Sequence, residues 1–200
     1  HPYPAALEDT IAAYHWLLEQ GYPAEKIVVA GDSAGGGLAL ALCLWLKNHK
    51  EPLPSGVIAM SPWTDLTISG ESVETNFEKD PLFGKTRDSM LYNKDYLGDN
   101  DPTNEYISPL FGDYEGFPPL LIQVGSYEML LSDSTRVAKK AKEAGGKVKL
   151  SIYEGMFHVF QMAMLLMPES KKAWAEIKRF LHYLDTEENE MQNISKEEKA

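Results

Sequence analysis

Short apolar runs alternate with stretches of helical periodicity along most of the chain. Four runs have the length and composition of strands, and the first three are apolar enough to be covered on both faces. These runs are 27–30, 56–61, 119–124 and 148–153. Apolar residues recur at helical spacing in 4–20, 34–48, 134–144 and 169–184. The alternation predicts an α/β fold, with a parallel sheet of about four strands and helices on both faces.

Two segments depart from this alternation. Residues 63–109 are polar, carry scattered aromatic side chains and are broken by glycine and proline, with one short helix predicted at 87–97. Such an excursion between two strands often forms part of a substrate pocket, and a plain surface insertion explains it equally well. Residues 186–200 are highly charged and predict a disordered tail. We therefore expect one domain over 1–185, with 63–109 as a partly irregular insertion.

A serine stands where the first predicted strand turns into a helix. Ser33 lies between Gly31 and Gly35, and the helix begins directly after it. A serine hydroxyl is a weak nucleophile that must project from the backbone towards a base, and glycines two residues away remove Cβ atoms from a crowded turn. The free N–H groups at the start of the helix, that of Ala34 first, face developing negative charge. The pattern predicts a nucleophile at Ser33. A glycine-rich turn that only packs closely is the alternative.

One of the five histidines suits the role of base. His158 alone follows a predicted strand directly, with Gly155 giving the chain freedom to approach the serine. The other four lie within helices, at a helix end or at the terminus: His15, His182, His49 and His1. In a parallel sheet the reacting groups lie past the carboxyl ends of the strands, which is where both Ser33 and His158 are expected. His158 is therefore the predicted general base.

Two carboxylates between the serine and the histidine could serve as the acid that orients the imidazole. Glu128 lies on the loop after the third strand, and Asp133 lies where the next helix starts. An aspartate at a helix start commonly has a capping role, which favours Glu128. Aspartate is the commoner acid of hydrolase triads, so Asp133 remains the alternative.

Composition narrows the partners. The net charge is −11 and the pI is about 4.9, which argues against nucleic acid and anionic membranes. Hydrophobic residues make up 44% of the chain, yet no apolar run reaches the length that spans a bilayer. The single cysteine, Cys43, lies among leucines and predicts a buried structural thiol. Serine hydrolysis of this kind needs no cofactor or metal. We predict a small-molecule substrate and a cytoplasmic location.

These residues resemble the hormone-sensitive-lipase-like family of α/β-hydrolase esterases. The Gly31–Gly36 stretch is similar to that family's GDSAGG box, and three further stretches agree with it: 108–110, 118–125 and 153–160. The resemblance implies the α/β-hydrolase fold and a serine carboxylesterase acting on short- to medium-chain acyl esters. It implies that Glu128 stands where the family has its catalytic aspartate. It also implies that Asp32 supports the turn at Ser33, although a solvated acid at a helix start is the plainer interpretation.

By the same resemblance, the family's HGGG oxyanion loop and first strands lie upstream of anything similar to this chain. The sequence would then correspond to the C-terminal part of such an enzyme, with the strand before Ser33 as an exposed sheet edge. A missing N-terminal segment or a homo-oligomer would complete that sheet. Two other functions remain open: an incompetent fragment or non-catalytic binding protein on the same fold, and an amidase or peptidase with the same triad. Four aromatic residues are possible pocket walls, and core packing explains them equally well: Trp63, Phe83, Phe157 and Phe160.

Overall fold

The structure of the protein is a computed structural model that describes residues 1–84 and 94–197, with side chains as far as Thr186. The first residues of the helix predicted at 87–97 lie outside the described part. Its last four form a helical turn. The strands are β1 (Val28–Asp32), β2 (Gly56–Met60), β3 (Leu120–Gly125) and β4 (Val148–Tyr153). The helices are α1 (Ala5–Glu19), α2 (Ala34–Asn48), α3 (Ser72–Thr75), α4 (Lys94–Leu97), α5 (Leu131–Glu143) and α6 (Pro168–Glu197).

The four strands form one parallel sheet in the order β1-β2-β3-β4. The predicted four-stranded parallel sheet is therefore confirmed. The strand before Ser33 lies at an edge of this sheet, as expected. It extends two residues further than predicted, because Gly31 and Asp32 still pair with Ala59 and Met60 of β2.

The main core lies between one face of the sheet and two helices. Alternate residues of β2 and β3, such as Val57 and Leu120, pack with α2 and α5 in a single buried cluster. Helix α2 is apolar nearly all round, which lets it bury Leu40 and Leu44 in this core and Leu42 against α1. Each fully buried leucine contributes roughly 1.5–3 kcal/mol, so the buried leucines anchor α2 firmly in the core. Its cysteine is buried, as predicted, and burial raises the pKa of the Cys43 thiol.

Because the four strands are parallel, their carboxyl ends all lie at the same edge of the sheet. Ser33 follows β1 directly, Ser61 follows β2 directly, and Glu128 comes three residues after β3. His158 comes five residues after β4. The strand order therefore collects these side chains at the carboxyl edge of the sheet, which the sequence predicts for Ser33, Glu128 and His158 but not for Ser61.

The chain divides into two compact units, His1–Phe160 and Gln161–Ala200. The single domain expected over 1–185 stays a prediction. In the second unit the Ser170 hydroxyl and the Trp174 indole N–H both donate to the Gln161 carbonyl oxygen. Helix α6 continues to Glu197, so the predicted disordered tail from 186 onwards differs from the structure. The physical reason lies in the composition, because Glu, Lys, Gln and Met favour helix even where charge excludes them from a core. None of the helices in the described ranges is both long and apolar enough to cross a bilayer.

Candidate active site

The backbone of Ser33 adopts a conformation that few non-glycine residues adopt. Its φ is 53° and its ψ is −123°, between the end of β1 and the start of α2. The Ser33 N–H donates to the Met60 carbonyl oxygen at 2.9 Å, and the Ser33 carbonyl oxygen accepts from the Trp63 N–H at 2.9 Å. Strain of this kind costs of order 1–3 kcal/mol and persists only where the surroundings fix it. Here the backbone on either side of Pro62 fixes the turn that presents the hydroxyl.

The two glycines that flank Ser33 differ in how much space a side chain would find there. A Cβ atom at Gly31 would overlap the carbonyl group of Gly35, so the predicted crowding holds there. A Cβ atom at Gly35 would meet no atom within 4 Å, so the same prediction is wrong at Gly35. The crowding is one-sided because the helix turns its carbonyl towards the strand, while the Cα of Gly35 faces open space. The other elbow residue, Asp32, is exposed.

His158 joins Ser33 and Glu128. Its Nε2 lies 2.9 Å from the Ser33 Oγ, and its Nδ1 lies 2.9 Å from Glu128 Oε2. His158 is 6% exposed, and the ring of Phe83 packs against its imidazole at 4.6 Å between centroids. With Nδ1–H donating to the carboxylate, Nε2 is left to accept from the serine hydroxyl. This arrangement is what proton removal from a serine requires.

The carboxylate of Glu128 is fully buried and held by three partners. Oε2 faces His158, while Oε1 accepts from the Ser61 hydroxyl at 2.7 Å and from the Gly125 N–H at 2.6 Å. Hydrogen bonds to a charged group are stronger than those between neutral groups, and a buried charge needs them. The carboxylate is therefore fixed in position before any substrate binds.

Asp133 lies in the first turn of α5, as predicted, but its carboxylate faces elsewhere. Asp133 Oδ2 accepts from the backbone N–H groups of Thr64 and Asp65 at 2.7 and 2.9 Å. Burial raises the pKa of Asp133 to about 7, because the lost hydration outweighs these donors, and the neighbouring charge of Asp65 raises it further. Asp133 therefore anchors the segment after β2 and is not brought to His158.

A cavity of about 250 Å³ opens beside the start of α2. Its walls are mostly apolar and include Ala34, Gly35, Leu38, Trp63, Leu66 and Ile107, together with two tyrosines, Tyr96 and Tyr106. Residues of the 63–109 segment thus form much of its lining. Of the four predicted pocket walls, Trp63 lines this cavity and Phe83 packs on the imidazole. Phe157 is partly exposed, whereas Phe160 is buried against Tyr153, so the core interpretation holds for Phe160.

Comparison with known proteins agrees with this geometry. Residues 1–162 match the family described as having the alpha/beta hydrolase fold. The chain belongs to the α/β-hydrolase family. A crystal structure of an esterase from the bacterial hormone-sensitive lipase family superposes with a TM-score of 0.87 at 43% identity, covering 92% of this chain and 62% of the other. The predicted resemblance to that family is confirmed.

Two curated relatives extend the comparison of this α/β-hydrolase. An esterase of Acinetobacter venetianus is 45% identical over 186 residues, which are 92% of this chain and 61% of the relative. An acetyl-hydrolase of Streptomyces hygroscopicus is 42% identical over 172 residues, 86% of this chain and 57% of the relative. The chain therefore spans about three fifths of the length of these relatives.

Sequence reasoning missed the buried polar residues of this α/β-hydrolase that hold the loop carrying Glu128. The Asn76 amide donates to the carbonyl oxygens of Ser126 and Glu128, at 3.0 and 2.9 Å. The Asp80 carboxylate accepts from the Met129 N–H at 2.9 Å and from the Phe83 N–H at 3.1 Å. These residues lie in an irregular segment without periodicity, so no local pattern distinguishes them from solvated polar residues.

The one-sided crowding beside Ser33 predicts opposite effects for two identical substitutions. Gly31→Ala should cost about 3 kcal/mol of stability, because the methyl group meets a backbone carbonyl that cannot move away. Gly35→Ala should be neutral or stabilise by up to about 1 kcal/mol, since it adds a helix former in open space. Urea unfolding followed by circular dichroism measures both. Equal losses would show that the turn is crowded on both sides.

The environment of Asp133 predicts a pH dependence of stability. Its pKa rises from the ordinary 3.8 to about 7 on folding. Its contribution to the free energy of unfolding is therefore fully present below about pH 3.8 and is lost as the pH rises through 7. Between these values the stability difference between the unmodified chain and Asp133→Asn should fall with pH, by at most about 1.4 kcal/mol per unit. Thermal unfolding from pH 4 to 8 measures it, with the exposed Asp9→Asn as the control. A constant difference would contradict the raised pKa.

Proposed function

We propose that this α/β-hydrolase is a serine carboxylesterase that hydrolyses short- to medium-chain acyl esters. The observation that carries the proposal is the unbroken chain of hydrogen bonds from Ser33 through His158 to Glu128. Each member has a neighbour at 2.9 Å, and the serine projects from a strained turn that exposes its hydroxyl. The roles assigned to the individual residues are part of the proposal.

Acylation begins at Ser33. Its oxygen attacks the ester carbonyl carbon while His158 Nε2 takes the hydroxyl proton, and the carbonyl oxygen becomes an oxyanion. Ala34 is the first residue of α2, so its N–H has no partner inside the helix and is available to the oxyanion. The carbon–oxygen bond to the alcohol then breaks, and His158 returns the proton to the leaving alkoxide.

Deacylation repeats these steps with water. His158 removes a proton from a water molecule, whose oxygen attacks the acyl carbon, and the proton passes to the Ser33 oxygen as the acid leaves. In both halves an imidazolium forms next to Glu128. The buried carboxylate stabilises that charge and keeps Nδ1 protonated, so Nε2 remains the basic nitrogen.

The cavity beside Ala34 suits the acyl group rather than the alcohol. The leaving alcohol must receive its proton from His158, so it departs on the imidazole side. The cavity is lined by Ala34 and Gly35 and not by His158 or Glu128. Its volume of about 250 Å³ lies below the roughly 300–1,000 Å³ of pockets for drug-sized ligands, which favours short acyl chains. The name of the acetyl-hydrolase relative supports the same size range.

A small-molecule ester is accordingly the proposed substrate. The cytoplasmic location and a homo-oligomer or further segment at the β1 edge stay predictions. The amidase alternative is separated by matched ester and amide substrates with the same acyl group, since a preference for the amide would replace the carboxylesterase assignment.

The triad makes a prediction that does not require the natural substrate. A fluorophosphonate probe should add one adduct to the 22.4 kDa chain, at Ser33, because the assembled imidazole activates that hydroxyl alone. Ser33→Ala and His158→Ala should lower ester turnover by at least about 10⁴-fold. Glu128→Gln should cost on the order of 10³–10⁴-fold, whereas Asp133→Asn should cost less than about tenfold. Intact mass and p-nitrophenyl acetate hydrolysis are the measurements.

Circular dichroism of each variant controls for misfolding. A chain that folds but does not label would be a non-catalytic protein on this fold. If Asp133→Asn lost more activity than Glu128→Gln at equal folding, the acid would be Asp133.

The acyl assignment of the cavity gives a second prediction. Leu66→Ala should raise kcat/KM for longer acyl chains relative to acetate, by roughly fourfold for each added methylene that the cavity admits, since each is worth about 0.8 kcal/mol. Leu66→Trp should restrict the enzyme to acetyl esters. Leu53→Ala, a partly buried leucine that packs near α1 and α2, is the control. A p-nitrophenyl ester series measures acyl length. If the Leu66 variants changed the preference for the length of the alcohol and not of the acyl chain, the cavity would bind the alcohol instead.

A further inference from the structure

A second serine lies at the carboxyl edge of the sheet. Ser61 follows β2 directly and is fully buried. Its φ is 48°, in the left-handed region, and its N–H donates to the Gln123 carbonyl oxygen of β3 at 2.6 Å. The backbone of Ser61 is therefore anchored to the centre of the sheet, and its side chain has a fixed starting point.

The hydroxyl of Ser61 connects Glu128 to the loop after β4 that carries His158, called here the histidine loop. It donates to Glu128 Oε1 at 2.7 Å and accepts from the Val159 N–H at 3.1 Å. The direction of both bonds is determined, because an ionised carboxylate only accepts and a backbone N–H only donates. One side chain thus contacts the carboxylate that faces His158 and also the residue directly after His158.

Unusual backbone conformations cluster around this connection. Ser33, Ser61 and Val159 all have positive φ, at 53°, 48° and 54°. For a β-branched residue such as Val159 this conformation is especially rare. Strained residues persist where surrounding contacts fix them, and the Val159 N–H is held by the Ser61 hydroxyl.

We propose that Ser61 is a positioning residue of the active site, which sets the orientation of Glu128 and His158 towards each other. The inference deepens the proposed esterase function and rests on it for its kinetic consequences. The hydroxyl holds the Glu128 carboxylate through its hydrogen bond to Oε1. It also fixes the loop that carries His158, so both partners of the Nδ1 hydrogen bond are held by a single group.

The first test is spectroscopic and does not need catalysis. The proton between His158 Nδ1 and Glu128 should give a proton NMR resonance far downfield of the amides, identified by its loss in Glu128→Gln. Ser61→Ala and Ser61→Gly should both shift or broaden this resonance. Glycine accepts a positive φ without strain, so a loss shared by both variants comes from the hydroxyl and not from the backbone.

The second test is kinetic. Ser61→Ala and Ser61→Gly should each lower kcat for p-nitrophenyl acetate on the order of 10–100-fold, with KM little changed, because Ser61 does not line the cavity.

Ser126→Ala is the matched control. Its hydroxyl also accepts from a backbone N–H of the histidine loop, that of Gly155 at 2.8 Å, but no bond from it to the Glu128 carboxylate is observed. The downfield resonance should stay in place in this variant, and kcat should change little.

The outcomes separate the two proposals. An unmodified chain that shows the downfield resonance but neither labels nor hydrolyses esters would overturn the esterase function, while a shifted resonance in Ser61→Ala would still support positioning. An unchanged resonance in Ser61→Ala would overturn the positioning role, whatever the activity. Recovery of the native resonance in Ser61→Gly would assign the effect to backbone strain and would likewise overturn it.

Discussion

The site depends on how the end of β2 holds the turn at Ser33. Met60 and Trp63, on either side of Pro62, bind the backbone N–H and carbonyl of Ser33. These two bonds stabilise a φ of 53° that an isolated chain would rarely adopt. Because Ser61 lies between the same anchors, the segment that fixes Ser33 also supplies a donor to Glu128. A disturbance of the β2 end would therefore affect both Ser33 and Glu128.

The parallel sheet converts distance along the chain into proximity. Ser33 and His158 are 125 residues apart, yet their side-chain atoms lie 2.9 Å from each other. Since β1, β2, β3 and β4 lie side by side in chain order, each strand delivers one residue to the same edge: Ser33, Ser61, Glu128 and His158. Their approach begins with the register of three strand pairs, which is fixed by side chains buried in the α2–α5 core, and the loop contacts of Ser61 and Asn76 complete it.

The parts of this arrangement that could be predicted are those with a local signature. The elbow has glycine spacing, a strand and a helix around Ser33, and His158 follows a strand, so both residues and the sheet were predictable. Gly35 was assigned the wrong reason, because which carbonyl faces which Cα is a three-dimensional fact. Ser61, Asn76 and Asp80 could not be found, since their partners lie about 50 to 100 residues away. Ser61 ends a predicted strand, and Asn76 and Asp80 lie in an irregular segment, so no local pattern marks any of them. The end of α6 was missed because residues beyond 186 still favour helix, although the apolar periodicity stops before them.

Two buried carboxylates five residues apart show how surroundings decide the role of a group. Asp133 Oδ2 accepts two backbone N–H groups and a hydroxyl, and burial beside the charged Asp65 raises its pKa to about 7. Glu128 keeps one oxygen for His158 while Ser61 and Gly125 hold the other. An acid that orients the imidazole must place an oxygen against it, and of these two carboxylates only Glu128 does so. The longer glutamate side chain reaches the imidazole from the loop itself, whereas Asp133 is committed to the helix and the segment after β2. The different roles of Glu128 and Asp133 therefore follow from the positions of their hydrogen-bond donors, and not from the intrinsic chemistry of aspartate or glutamate.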